Sequence, residues 1–351
     1  MNRDIIRVDL EEIYRKPIDW LVFEDKSVLI TGAYGMLASY LTLFFIYLRE
    51  EKNIHVRLIL LVRSKEKLEH LIGDKDKDYI RVYYDGIIHP LNIEERVDYI
   101  IHAASLASPK YYSTCPVGVI EPNAIGTYYL LRLGVEKSVE RFLLFSTGDV
   151  YGRVENKDVI TEEDYGIMST LDIHNCYSES KRVAETISYS FYSQYEVPIS
   201  IARIWHTYAP TMDVWNDPRV FASFVKNLLQ RKNIEMYSDG AGYRTFCYIT
   251  DAVYGFLRIL IDGDNGEAYN VCNESQLVTI AELAENVVAL RPEYGLKVIR
   301  KKRDDKEKYV ENVHLKGNKI YPSSDKLRKL GWKQEISIET GFDRVLRYFE
   351  R

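Results

Sequence analysis

Tyr177 and Lys181 stand four residues apart in YSESK (177–181), a spacing that sets both side chains on one face of a helix. An ammonium beside a phenol favours the tyrosinate and lowers the tyrosine pKa. Such a tyrosine can take the proton of a substrate hydroxyl while hydride leaves for a nicotinamide ring. Lys181 can also hold the nicotinamide ribose. Upstream, Ser146 and Thr147 end the apolar run RFLLF (141–145). That puts the Thr147 hydroxyl at the carboxyl edge of a sheet, suited to bond the reacting oxygen. Asp149 follows in TGDVYG (147–152). It is either the acid or base of a step beyond hydride transfer, or the cap of a loop. A tyrosine and a lysine at this spacing also occur on ordinary surfaces, so the pair gains weight only in company.

That company begins at TGAYGMLA (31–38), set between the apolar run SVLIT (27–31) and a long apolar helix. Gly32 permits a tight turn, Gly35 lets backbone approach a pyrophosphate, and Ala38 is a third small residue where helix meets sheet. The helix N-terminus then turns its unpaired N–H groups to phosphate. Tyr34 and Met36 in the turn, with Ala103 and Ala104 of HAAS (102–105), complete the cofactor candidates on this side. An acid that takes the ribose hydroxyls usually ends the second strand of an NAD-binding sheet; here Arg63 and Ser64 stand in that place. Arg63 favours a 2′-phosphate and so NADP, or stacks on adenine, or faces solvent. Asp85, after the third strand, could help hold the adenine end.

The elements that must position these residues alternate. Strands are expected at 27–31, 56–62, 80–84, 99–102, 141–145 and 199–204. Helices are expected at 4–14, 36–48, 124–135 and 177–195. Strand–helix alternation of this kind is the pattern of an α/β, Rossmann-type, doubly wound parallel sheet covered on both faces. After Pro210 the character changes, with helices at 219–232, 250–262, 279–291 and 338–349, a short strand at 266–272, and a charged, solvated loop at 300–312. The expected division is an N-terminal extension (1–25), a dinucleotide-binding domain (26–210 with a returning segment at about 240–275), and a smaller, mostly helical substrate domain (211–239 and 276–351) closing a cleft.

Composition limits the partners. The chain has 351 residues, 46% hydrophobic and 28% charged, with a net charge of -5. Charges are mixed and no basic stripe appears, so nucleic acid is not an expected partner. The most apolar run, 36–48, is too short to span a membrane. The acidic start does not read as a signal peptide. The 4 cysteines form no C-x-x-C pair, as expected of reduced thiols in the cytoplasm. The 7 histidines are scattered, without the spacing of a metal site.

These motifs together resemble the extended short-chain dehydrogenase/reductase family, enzymes that epimerise, dehydrate, decarboxylate or reduce sugar nucleotides. The resemblance covers about 26–345 and adds RIWHTYAP (203–210), RTFCYITD (244–251) and YNV (269–271) to the segments above. Within the family the chain looks most like the UDP-glucuronate decarboxylases. HPLNIEERVDYIIHAASLASPKYY (89–112), YSESKRVAET (177–186) and NDPRVFASFVKNLL (216–229) carry that likeness.

The resemblance implies tightly held NAD and a UDP-linked sugar. It also implies a cycle in which C4 is oxidised, carbon dioxide is lost and the hydride returns. It makes Thr147, Tyr177 and Lys181 catalytic, and matches Asp149 to a glutamate of the group. Ser105, Asn123, Glu179, His206, Arg219 and Arg244 fall on the substrate side, with Arg244 meeting the pyrophosphate. It further implies a homodimer through the helices at 124–136 and 177–195. Departures are Gly148 for serine, His206 for asparagine, Ala209 for glycine, Glu121 for lysine and Arg63 for the ribose-binding acid. A 4-epimerase, a 4,6-dehydratase and a C4 reductase are the competing readings. The dehydratase usually has an acid where this chain has Gly148, and Arg63 suits the reductase best. A non-catalytic nucleotide-sugar sensor would not need Tyr177 and Lys181.

Overall fold

The computed structural model describes residues 3–73, 77–301 and 319–350. Strands β1 (Ser27–Thr31), β2 (Arg57–Val62), β3 (Ile80–Tyr84), β4 (Tyr99–His102), β5 (Arg141–Thr147), β6 (Ile199–Ile204) and β7 (Glu267–Val271) form one 7-stranded sheet. All pairings are parallel and the order is β7-β6-β5-β4-β1-β2-β3. The order reverses between β1 and β4, where a crevice opens at the carboxyl ends of the strands. The expected Rossmann-type sheet is therefore present.

The strands read as continuous apolar runs because both faces are covered. Successive side chains alternate, and the core splits accordingly. Val28, Ile30, Leu58, Leu60, Ile101 and Phe145 face one layer, and Leu29, Ile59, Leu61, Ile100, Phe142 and Leu144 face the other. The first layer is made by α1 (Arg3–Tyr14), α2 (Met36–Glu51) and α8 (Ile249–Asp262); the second by α5 (Pro116–Lys137) and α6 (Cys176–Tyr195). Between these lie α3 (Lys65–Ile72), α4 (Pro109–Thr114) and α7 (Val220–Leu229). The chain ends with α9 (Ile280–Ala289), α10 (Asp325–Lys329) and α11 (Ile338–Phe349). The segment after Pro210 is the smaller and more helical part. Its short strand pairs are Tyr243–Thr245 with Leu277–Thr279, and Ile234–Met236 with Val298–Arg300.

Several boundaries differ from expectation. The helix placed at 124–135 starts at Pro116 and contains Pro122. A proline costs a helix one N–H; the Pro122 carbonyl also accepts from His102 Nε2 at 3.2 Å, tying α5 to the end of β4. Helix α3 was not expected; Ser64 caps it by accepting from Lys67 N at 3.3 Å. The charged stretch expected as a loop at 300–312 lies outside the described residues beyond Lys301. No helix among the described residues is long and apolar enough to cross a membrane.

Candidate active site

Gly32 leaves β1 with φ +67 and donates to Leu61 O at 2.9 Å. A Cβ there would sit 2.9 Å from Ala104 Cα, so only glycine lets the loop after β4 come this close. Thr31 draws that loop in: its hydroxyl oxygen accepts from Ala103 N and Ala104 N, each at 3.1 Å. The same hydroxyl meets His102 Nδ1 at 2.9 Å. Pro122 O can only accept, so His102 Nε2 carries the proton and Nδ1 accepts from Thr31. Burial pushes the His102 pKa down to about 3, so the ring stays neutral and this latch persists. Sequence reasoning missed Thr31; a threonine ahead of the turn was its only signal.

Gly35 begins α2 with no side-chain cap. The first-turn N–H groups, which lack partners within the helix, therefore face the crevice from Met36 onward. Tyr34 lies under Lys67 Nζ at 5.8 Å. Arg63 is exposed at the end of β2. Asp85, beyond β3, is exposed and accepts from Gly86 N at 2.7 Å, with His89 Nε2 at 3.1 Å.

Across the crevice, β5 delivers Thr147 and the first turn of α6 delivers Tyr177. Thr147 Oγ1 accepts from Asp149 N at 3.2 Å, which starts the turn Gly148–Tyr151. Tyr177 is buried, and Tyr112 stacks on it with centroids 5.3 Å apart and planes 10° apart. Burial and the Asp149 charge raise the Tyr177 pKa, while the Thr147 hydroxyl and Arg219 draw it back. This corrects the expectation of a lowered phenol. Lys181 shares the helix face, but its Nζ donates to Phe145 O at 2.7 Å. Burial brings its own pKa down to about 7, against the pull of Glu185. Tyr177 therefore rests as the neutral phenol.

Asp149 is solvent-accessible yet walled in by protein, as a side chain projecting into a cleft would be. Crowding raises its pKa, opposed by Thr147 and by the Arg244 charge. Arg244, on the strand Tyr243–Thr245, is half-buried and donates to Tyr243 O at 2.7 Å. Arg219 precedes α7 and grips both oxygens of Asp217, at 3.0 and 2.9 Å from its Nε. Burial, helped by the charges of Arg244 and Arg219, holds the His206 pKa at about 3. His206 Nδ1 and Ser105 Oγ are enclosed with no partner among the described residues.

Two of the expected substrate residues are engaged by protein partners. Asn123 is fully buried and joins α5 to α6 by donating to Ser180 Oγ at 2.9 Å. Glu179 faces Arg182 at 3.7 Å. Tyr112 is a site residue that no local pattern singles out, since only packing brings α4 over α6. No cluster able to hold a metal ion occurs among the described residues.

The chain is similar to known proteins along most of its length. UDP-glucuronic acid decarboxylase 6 of Arabidopsis thaliana is 33% identical over 321 residues, 90% of this chain and 86% of the relative. UDP-glucuronic acid decarboxylase 1 of Xenopus tropicalis is 32% identical over 339 residues, 95% of this chain and 75% of the relative. Among solved structures, UDP-glucose 4-epimerase of Thermotoga maritima with UDP-glucose superposes with a TM-score of 0.74 at 21% identity, covering 92% of this chain and 98% of that one. UDP-glucuronic acid 4-epimerase of Bacillus cereus, in complex with UDP-glucuronic acid and NAD, gives 0.74 at 18%, with the same coverage. The structures share the fold. Residues 28–272 match the NAD dependent epimerase/dehydratase family, and with relatives above 30% identity along most of its length, the chain belongs to that family.

Proposed function

We propose that the chain decarboxylates a UDP-linked uronic acid, UDP-glucuronate, through a transient C4 ketone and with NAD held throughout the cycle. The observation that carries the reading is the meeting of Tyr177, Thr147 and Asp149 in one cleft faced by Arg219 and Arg244. The Arabidopsis and Xenopus relatives, themselves UDP-glucuronic acid decarboxylases, support this choice of reaction.

NAD fits the residues present. The bare Cα of Gly32, the uncapped start of α2 and the loop drawn in by Thr31 make a backbone-lined cradle for a pyrophosphate. When bound, NAD takes a hydride from C4 and gives it back. Tyr177 removes the C4 hydroxyl proton in the forward step and returns it in the last. Lys181, one helical turn on, would hold the nicotinamide ribose when the cofactor is bound. Thr147 donates to the C4 oxygen. With C4 a ketone, the electrons of the C5–carboxylate bond move into the carbonyl and leave an enolate. Asp149, whose carboxyl is shifted toward the protonated form by burial, is the proton donor for C5. Arg244 and Arg219 neutralise the pyrophosphate and the departing carboxylate.

The same reading gives 26–210 and about 240–275 to the dinucleotide, and 211–239 with 276–351 to the sugar nucleotide. It pairs two chains through α5 and α6, where Val117, Ile120, Tyr128, Val183 and Tyr189 are exposed. The four unpaired cysteines suit the reducing cytoplasm. Carbon dioxide release from UDP-glucuronate without accumulation of NADH, abolished by Tyr177→Phe, is the expected result. Turnover of neutral UDP-hexoses alone would favour an epimerase.

A further inference from the structure

The turn that carries Asp149 rests on a single aromatic ring. An ideal Cβ at Gly148 would lie 2.5, 2.6 and 2.9 Å from Trp205 Cε2, Cδ2 and Cζ2. The indole therefore lies directly against the glycine's Cα. It also stacks on Tyr151, with centroids 5.9 Å apart and planes 26° apart. Trp205 is itself fixed. Its backbone N donates to Val271 O at 3.2 Å, and its Nε1 donates to Asn270 Oδ1 at 3.0 Å. The Tyr151 hydroxyl donates to the same Asn270 oxygen at 2.8 Å. Arg182 Nε holds Val150 O at 2.7 Å. In the turn Gly148–Tyr151, both ends and the third residue are thus pinned, and only the Asp149 side chain is left to project into the cleft.

We propose that Trp205 is a positioning residue of the active-site turn: its indole, laid on Gly148 and Tyr151, sets where the Asp149 carboxyl meets the substrate. The proposal rests on the reading of Asp149 as an acid that touches the sugar. Glycine at 148 is then a steric requirement of the ring, and any side chain there must displace either Trp205 or the turn.

The experiment is a set of linked variants assayed with UDP-glucuronate and NAD, alongside thermal unfolding. Gly148→Ala is expected to lower kcat about tenfold or more with KM changed less than about threefold, since small misplacements near reacting atoms are costly. Trp205→Phe also lowers kcat, because the smaller ring and the lost Asn270 bond loosen the turn. In the Trp205→Phe background, Gly148→Ala is expected to cost less than about threefold, and likewise in the Asp149→Asn background. The same cost of Gly148→Ala in all three backgrounds would overturn the proposal. Thermal unfolding keeps the two readings apart. A parent with no turnover of UDP-glucuronate refutes the proposed function. A Gly148→Ala loss of Tm that Trp205→Phe fails to relieve refutes the steric pairing, whatever the substrate.

Discussion

His206 and His102 are both held near pKa 3 by burial, with Arg244 and Arg219 adding to the effect at His206 and Lys181 at His102. In the unfolded chain each returns to the ordinary 6.5. Between 6.5 and 3 the unfolded state binds the extra proton, so stability is complete above 6.5 and is lost as pH falls. The slope is about 1.4 kcal/mol per pH unit for each histidine. Asp9 and Asp251, raised to about 6 by burial, act in the opposite sense between 3.8 and 6, so the test is a difference. The loss of stability between pH 6.5 and 4 is expected to be shallower in His206→Asn than in the parent, by denaturant unfolding at each pH. Equal slopes would mean that His206 is protonated in the fold. Tyr177, Lys181 and Thr147 were legible in sequence as candidates because they fall at spacings the proposed chemistry requires. The resting state of Tyr177 was not, because the direction of an ammonium depends on which carbonyl it meets, here Phe145 O. Tyr112 and Trp205 come from separate elements, and no local pattern announces them.

Elements place these groups through a few backbone constraints. Gly32 combines φ +67 with a Cβ contact of 2.9 Å to backbone, whereas Gly73 has φ +80 and nothing within 4 Å. Gly73→Ala therefore costs backbone strain without a clash, about 1–3 kcal/mol for a φ +80, ψ 170 conformation that essentially only glycine adopts. Gly32→Ala adds a clash with the Ala103–Ala104 loop. It is expected to lower Tm further than Gly73→Ala and to reduce NAD retained through purification by about tenfold or more, since the loss of cofactor binding adds to the loss of stability. Matching Tm losses and full NAD content in both would contradict the cradle. The main strands and the glycine turn were readable because buried parallel strands are apolar runs with sharp ends. The start of α5 was not, because Pro122 normally argues for a boundary, and it is accommodated here inside a helix that runs on to Lys137. The short pair Tyr243–Thr245 with Leu277–Thr279, which carries Arg244, lies below the length at which periodicity shows.

At the scale of the molecule, α1 ties the two parts together. Asp9 is fully buried and accepts from Tyr40 and Tyr248 hydroxyls at 2.7 Å, and Arg344 of α11 meets it at 2.9 Å. The sequence showed an amphipathic segment but not these partners, which lie 31, 239 and 335 residues away. The outer faces of α5 and α6 have no such cover among the described residues, and several of their apolar side chains stay exposed. The parent is expected to sediment as a dimer at micromolar concentration, and Ile120→Lys combined with Val183→Glu as a folded monomer. A monomeric parent would end the dimer proposal. The cycle itself is tested most directly with UDP-glucuronate carrying deuterium at C4. The account predicts a decarboxylated product that keeps the deuterium at C4, with no net reduced cofactor. A product without the label, a released keto sugar, or a retained carboxylate would contradict it.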